Sequence, residues 1–334
     1  AGKNLKSVHN VFDKGEPEMG FPLKGVQLES EIEIIRDKGT GRNALGWLRA
    51  GKKPSKQFIL IGAHLDHVGK GRVGSRAKKN AKTKIHPGAD DNASGIAVLL
   101  EIAQFLADLK KRGLLKMNFD ICFAAWSGEE IGLVGSAHYA RELEKTVKAS
   151  DENASLPIMA YLNLDMVGRY KEKLTLHGIG SGEGWLPIIE KANVPVGLNL
   201  NPQNDSHLPT DTTSFYSRGV PILNAFTGLH QDYHSPTDTA DKLNYEAAAD
   251  CGKLLSRVII ELLQRDSPIP YKALAAPKRQ SRGRLTAYLG TIPDYSQGDL
   301  KGVLLSGVAK GGPADIAGLR GGDIIVSLAG KKVE

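Results

Sequence analysis

The stretch FILIGAHLDHVG, residues 58–69, decides the fold. Its first six residues form a short apolar run without alternation, as in a strand covered on both faces, and the run stops abruptly at polar residues. A sheet buried on both sides needs helices above and below it, so strands and helices should alternate along the chain. They do. SGIAVLLEIAQFLADLKKRG (94–113) has an amphipathic helical pattern that stops at Gly113, a common residue just past a helix end. NFDICFAAW (118–126), IMAYLNLDMVG (158–168), KLTLHG (173–178) and PILNAFTG (221–228) read as strands. GLVGSAHYARELEK (132–145), GWLPIIEKANV (184–194), TTSFYSRG (212–219) and NYEAAADCGKLLSRVIIELLQR (244–265) read as helices. Upstream, VQLESEIEI (26–34) alternates like a half-buried strand. DKGTGR then reads as a turn and NALGWLRAG (43–51) as the partner strand of a hairpin. The pattern predicts an α/β domain with a mostly parallel central sheet.

The 334 residues can bury a full core with room for a smaller second domain, and 41% hydrophobic with 24% charged residues is ordinary for a globular chain. No apolar run approaches the roughly 20 residues of a membrane span, so no transmembrane segment is expected. The polar start AGKNLKSVHN holds no signal peptide, which says little about compartment in a chain beginning with Ala. Cys122 and Cys251 read as small buried residues, and they lack the paired spacing of a thiolate metal site. The net charge of +7 is matched by seven cations in residues 69–88, a segment with no acid. No aromatic residues interleave with them, so nucleic acid is not an expected partner. The segment reads as a solvated loop, with electrostatic steering of an anionic partner as the second reading.

In such sheets ligands gather beyond the carboxyl ends of the strands. His64, Asp66 and His67 follow the run at 58–63. Asp90 and Asp91 precede the helix at 94–113. Glu129 and Glu130 follow CFAAWSG, Asp165 ends YLNLD, and Tyr233 with His234 lies in the loop after PILNAFTG. Each has an ordinary reading alone: a hydrogen-bonded histidine, a helix cap, or acids at a helix N-terminus. Their coincidence at strand ends is harder to explain that way. Imidazoles with carboxylates and no thiolate suit zinc, or manganese or cobalt. This many anions suits two cations roughly 3.5–4 Å apart that share one carboxylate, acidify a water and polarise a carbonyl. Neighbouring residues leaving a strand point in different directions, so one of Glu129 and Glu130 can bind metal while the other acts as general base.

GAHLDHVG, PGADDNASG, WSGEEIGLVGS, NLDMVG and DYHSPTDT, in that order over roughly residues 42–265, resemble the co-catalytic two-zinc aminopeptidases, zinc exopeptidases of leucyl-aminopeptidase-like type. The resemblance implies a three-layer sandwich that removes N-terminal amino acids from peptides with a free N-terminus, and an exported location. It implies two Zn2+ ions: His64 and Asp165 on one, Glu130 and His234 on the other, Asp91 bridging. It gives Glu129 the role of general base, has the Asp66 carboxylate orient His64, has Tyr233 donate to the oxyanion, and implies a cis peptide at Asp91–Asn92. The family's Ser-Asp-His stretch is here Thr210-Asp211-Thr212, so no role passes to Asp211. The same scaffold could instead serve carboxypeptidase action, glutaminyl cyclisation or non-catalytic binding. The intact set of ligand-type side chains speaks against the last, and the pocket walls decide the others.

The peptidase domain is expected to span 1–265, with an N-terminal strand region at 1–41, and a Pro-rich basic linker to span 266–283. In 284–334, Tyr288 to Thr291 and GGPADIAGLRGGDII resemble the carboxylate-binding loop and the helix–turn–strand of a bacterial-type PDZ domain. That likeness implies a β-rich segment lacking, up to Glu334, the second helix that walls a peptide groove, so a PDZ-type partner is not expected of it.

Overall fold

The computed structural model describes residues 39–71, 74–77, 84–274, 289–293, 301–308, 312–320 and 322–333. Seven strands and five helices build the main body: β1 Ala44–Leu48, β2 Phe58–His64, α1 Gly95–Lys111, β3 Asp120–Trp126, α2 Val134–Ser150, β4 Ile158–Leu164, β5 Leu174–His177, α3 Trp185–Asn193, β6 Leu200–Pro202, α4 Thr212–Tyr216, β7 Ile222–Phe226 and α5 Tyr245–Leu263. The sheet order is β1-β3-β2-β4-β7-β5-β6.

β3, β2, β4 and β7 are parallel. β1 runs antiparallel to β3, β5 antiparallel to β7, and β6 keeps the direction of β5. The expectation of a mostly parallel sheet therefore holds for the central four strands, while the three outer strands run the other way. Apolar runs report how deeply a strand is covered, not its direction. The short β6 carried no signal of its own.

Every residue of β2 is buried, and its side chains divide by the strand's two-residue period. Ile59, Ile61 and Ala63 join a cluster with Val98 and Ile102 of α1, Trp185 of α3 and Leu255 of α5. Phe58 and Leu60 join Trp126, Ala140 of α2 and Phe215 of α4. Helices thus cover both faces, in three layers. α1 ends where the sequence said it would. Gly113 takes a left-handed φ of 72°, and the N–H groups of Gly113 and Leu114 close back on Lys110 O and Leu109 O. Together with the turn before it, this helix (Ala89–Lys111, mean hydropathy 1.3) is long and apolar enough to cross a membrane. Its buried Val98, Leu99, Ile102 and Leu106 instead pack into the core of the domain.

The expected hairpin strand at 26–34 lies outside the described residues, and the partner seen for β1 is β3. Both cysteines are buried and free. Of the stretch read as linker, 266–274 is described and lies against the domain. Ile269 is buried in the main core, Lys272 N donates to Ser181 O at 2.8 Å, and Leu274 N donates to Tyr216 Oη at 2.7 Å. Further on, β8 Thr291–Pro293, β9 Val303–Val308 and β10 Ile324–Ile325 form a three-stranded antiparallel sheet, with the short helix α6 at Pro313–Ile316. Tyr288 lies outside the described residues.

Candidate metal centre

Register brings the strand ends together. His64 pairs with Trp126 at the ends of β2 and β3, and Leu164 with Ala225 near the ends of β4 and β7. The chain leaves all four strands at one edge, and the turn at 89–94 delivers the start of α1 to that edge.

Two acids stand side by side in that turn, and hydrogen bonding separates their roles. Asp90 is fully buried and engaged: its Oδ1 accepts from Gly168 N at 2.7 Å and Ser94 Oγ at 3.0 Å, and its Oδ2 lies 3.1 Å from His230 Nε2. Asn92 ties the turn to β4, donating to Leu164 O at 2.9 Å and accepting from Met166 N at 3.1 Å. Asp238 Oδ2 accepts from Asp90 N at 2.9 Å and Asp91 N at 3.2 Å. Only the Asp91 carboxylate is left to face the strand ends, and the Asp91–Asn92 peptide is cis.

Around Asp91 the other groups close in. His64 Nε2 lies 3.3 Å from Asp91 Oδ1 and 3.5 Å from Asp165 Oδ1. His234 Nε2 lies 3.2 Å from Asp91 Oδ2 and 3.0 Å from Glu130 Oε2. The ligand-type atoms thus form two groups, His64–Asp91–Asp165 and His67–Asp91–Glu130–His234, with Asp91 in both. All five expected ligand residues meet. His67 is the addition: its Nδ1 lies 2.7 Å from Glu130 Oε1, and its Nε2 is buried without a hydrogen-bond partner. The sequence places His67 at the strand end, and its spacing of three from His64 is the signal that could have flagged it. Its ring fills the space over Gly88, where a Cβ would come within 2.6 Å of the imidazole and 2.4 Å of Asp91 O.

Tautomers test whether a cation fits. His64 Nδ1 is 3.0 Å from Asp66 O, and His234 Nδ1 is 2.8 Å from Gly74 O. A carbonyl can only accept, so each ring keeps its proton on Nδ1 and turns the Nε2 lone pair toward carboxylate oxygens. Lone pairs and anions then face one another across about 3 Å, and His234 Nε2 and Asp91 Oδ2 are both buried without a hydrogen-bond partner. A bound cation resolves that opposition, and imidazole with carboxylate suits zinc. Protons are the alternative. Burial opposes charge on His234, but Asp91 and Glu130 override it and hold its pKa up at about 10.

Asp66 is placed differently from expectation. Its backbone carbonyl, not its carboxylate, meets His64. The carboxylate accepts from Glu129 N at 3.1 Å and Glu130 N at 3.4 Å, so it anchors the loop carrying both glutamates. The two glutamates are electrostatically distinct. Burial, then Asp165, pushes Glu129 up to about 9. Burial also acts on Glu130, but His234 and His67 hold it below the usual carboxylate range. Neighbouring acids driven apart in this way can take different roles. Asp211 is 1% exposed, and burial pushes it up to about 7. The Tyr233 ring stacks on His234 at 3.9 Å, and its phenol is held protonated by burial and by the charges of Asp91 and Glu130.

Beside the cage lies a cavity of about 290 Å3, lined in part by Glu129, Tyr233, Met166, Phe226 and Asn224. Such a site can hold two divalent ions, place a carbonyl beside them, and offer Glu129 to a water.

The sequence pattern of peptidase family M28 matches residues 43–259. Aminopeptidase YwaD of Bacillus subtilis is 24% identical over 269 residues, 74% of this chain and 53% of that protein. The solved aminopeptidase from Aneurinibacillus sp. strain AM-1 superposes with a TM-score of 0.51 at 26% identity, covering 70% of this chain and 50% of that one. The glutaminyl cyclase of Porphyromonas gingivalis reaches a TM-score of 0.52 at 19% identity over 66% of this chain and 77% of that one, which speaks to fold alone. The chain spans about half the length of the two aminopeptidases.

Proposed function

Because the chain belongs to peptidase family M28, we propose that it is a zinc-dependent aminopeptidase, releasing single residues from peptides with a free N-terminus. One observation carries the reading: two groups of ligand-type side chains share a single carboxylate, Asp91. His64 and Asp165 would hold one ion and Glu130 and His234 the other, with Asp91 shared between the two groups. Zinc at such a pair acidifies water and polarises a carbonyl oxygen, and manganese or cobalt could substitute.

The chain's own residues supply the rest. Glu129 takes the proton of the attacking water and passes it to the leaving amine. Its position at the cavity and its separation in charge from Glu130 favour that role. Tyr233 donates its phenolic proton to the developing oxyanion. Asp66 fixes the backbone of both glutamates, and its carbonyl fixes the His64 tautomer. His67 meets Glu130 Oε1 while His234 faces Oε2. The β-rich segment from Leu289 onward, in which Ala314 N of α6 donates to Leu289 O, fits the expected partial PDZ domain, and an exported location remains the reading for the whole.

The test is a panel of amino-acid anilides and N-terminally blocked peptides, assayed as purified, after chelation, and after adding zinc back. Turnover of free N-termini only, lost on chelation and restored by zinc, supports the assignment. Cleavage of blocked peptides, or activity indifferent to chelation, removes it.

A further inference from the structure

Three large apolar side chains stand in water beside the cage. Leu65 is 59% exposed, Ile131 72% and Val134 52%. Each belongs to a loop that also carries cage residues. Leu65 lies between His64 and Asp66, and Ile131 and Val134 sit in the turn that follows Glu129 and Glu130. Hydrogen bonds join the two loops: Leu65 N donates to Trp126 O at 2.7 Å, and the Asp66 carboxylate accepts from Glu129 N at 3.1 Å and Glu130 N at 3.4 Å. The turn is closed on itself. Gly132 N and Leu133 N both donate to Glu129 O at 2.9 Å, and Val134 N donates to Gly128 O at 2.9 Å. Ile131 and Val134 flank one glycine, since a Cβ on Gly128 would lie 3.2 Å from Val134 Cβ and 3.5 Å from Ile131 Cγ1. Single exposed apolar residues are ordinary, but three on two joined loops beside a reactive centre mark a contact surface.

The sheet order, β1-β3-β2-β4-β7-β5-β6, places this surface relative to the cavity. The cavity takes its walls from one side of the cage: Met166 follows β4, Phe226 ends β7, and His207 to Thr210 lie beyond β6. Leu65, Ile131 and Val134 are not among its walls. They follow β2 and β3, toward the other edge of the sheet. The cage thus stands between a walled cavity and an open apolar surface.

Chemistry names the occupant of that surface. On the aminopeptidase reading, on which this step rests, hydrolysis breaks the C–N bond between the first and second residues of the peptide. The oxygen of water joins the carbonyl carbon, and the second residue leaves as an amine that takes its proton from Glu129. The second residue therefore passes beside Glu129, and its side chain comes next to the turn that carries Ile131 and Val134. We propose that Leu65, Ile131 and Val134 form a subsite for the second residue of the peptide and select a large apolar side chain there. Glycine leaves the three side chains in water, and a carboxylate meets the charge of the neighbouring glutamates.

The experiment holds the first residue constant. With the zinc-loaded protein, the amidated dipeptides Leu-Leu, Leu-Phe, Leu-Gly and Leu-Asp are compared with leucinamide, whose leaving group is ammonia and carries no side chain. The expected kcat/KM for Leu-Leu and Leu-Phe is at least about tenfold above that for Leu-Gly, with Leu-Asp lowest. Ile131→Ser with Val134→Ser should shrink the Leu-Leu to Leu-Gly ratio to about threefold or less, and Leu65→Ser should shrink it in the same direction. Each ratio is taken within one protein, so a loss of folded material cancels. Cleavage of leucinamide with equal turnover of Leu-Gly and Leu-Leu overturns the inference and leaves the aminopeptidase reading intact. Full preference retained in both altered proteins overturns it as well. If neither leucinamide nor any dipeptide is cleaved, the aminopeptidase reading falls and takes the subsite with it.

Discussion

Asp91→Asn should remove both metal ions together, because Asp91 is the one residue present in both ligand groups. Its Oδ1 faces His64 and its Oδ2 faces His234, so loss of its charge weakens each site by one anion. Asp165→Asn touches only the group with His64 and should release one ion. The size of the effect follows from linkage. Each ion present at about 100 times its dissociation constant adds about 2.7 kcal/mol to stability, so two add about 5 kcal/mol. For a domain of this size each kcal/mol is worth about 2–4 °C in Tm, giving a loss of about 10–20 °C for Asp91→Asn and about half that for Asp165→Asn. Metal content after dialysis, by plasma mass spectrometry, and thermal melts in buffered zinc measure both. If Asp91→Asn retains one ion at undiminished affinity, or if Asp165→Asn empties both positions, the shared-carboxylate reasoning is wrong.

On the proposed mechanism, in which Glu129 moves protons and binds no ion, Glu129→Gln should lower kcat by about 10²–10⁴-fold while both ions stay bound; anilide kinetics beside metal analysis separate the two. Asp66→Asn should cost about 10–100-fold in zinc affinity, because the amide can accept only one of the two backbone N–H groups its carboxylate now serves; competition against a fluorescent chelator reads it. Far from the site, Asp120 accepts from Ala50 N at 2.7 Å, Arg49 Nη1 at 2.8 Å and Ser55 N at 3.1 Å. Burial opposes its charge, but these donors hold its pKa below the usual carboxylate value. A lowered folded-state pKa gives stability that is complete above the unfolded value of about 3.9 and is lost as pH falls through the folded one. Asp120→Asn should therefore cost about 2–3 kcal/mol in urea unfolding at pH 7, with the gap narrowing at pH 3.

Part of the cage is legible in the sequence because some of its residues follow strands that burial periodicity can locate. A run such as FILIGA must be a covered strand, and its first polar residue must lie at the strand's end. His64, Glu130 and Asp165 are placed at the strand ends in this way. Turns are less legible. Nothing in ADDNAS says which acid faces the strand ends, since that depends on Asp90 being captured by nearby Ser94 and by Gly168 N and His230, groups distant in the chain. For Asp66 the sequence points to the right residue, but it does not distinguish the backbone carbonyl that meets His64 from the side-chain carboxylate three bonds away. Asp211 looked unassignable between two threonines, and its burial arises only when α4 closes over the sheet. Strand direction at the sheet edges was not encoded in composition at all.

The basic segment at 69–88 also acquires a meaning that charge counting could not give it. Of its seven cations, Lys70, Arg76 and Lys84 are described. Arg76 holds the site rather than the solvent: its N–H donates to His234 O at 3.0 Å and its guanidinium lies 4.7 Å over the Tyr233 ring. Two residues earlier, Gly74 O takes the Nδ1 proton of His234. His234 itself has a left-handed φ of 53°, uncommon for a residue with a side chain, and these contacts grip both its backbone and its ring. His234 thus depends for its tautomer on a glycine carbonyl about 160 residues earlier. A loop that reads as solvated by charge alone is, at this end, part of the support for His234. The charge-dependent contribution of Arg76 is confined to the Tyr233 ring, while the lock on His234 is made by backbone groups that a change of side chain at position 76 leaves in place.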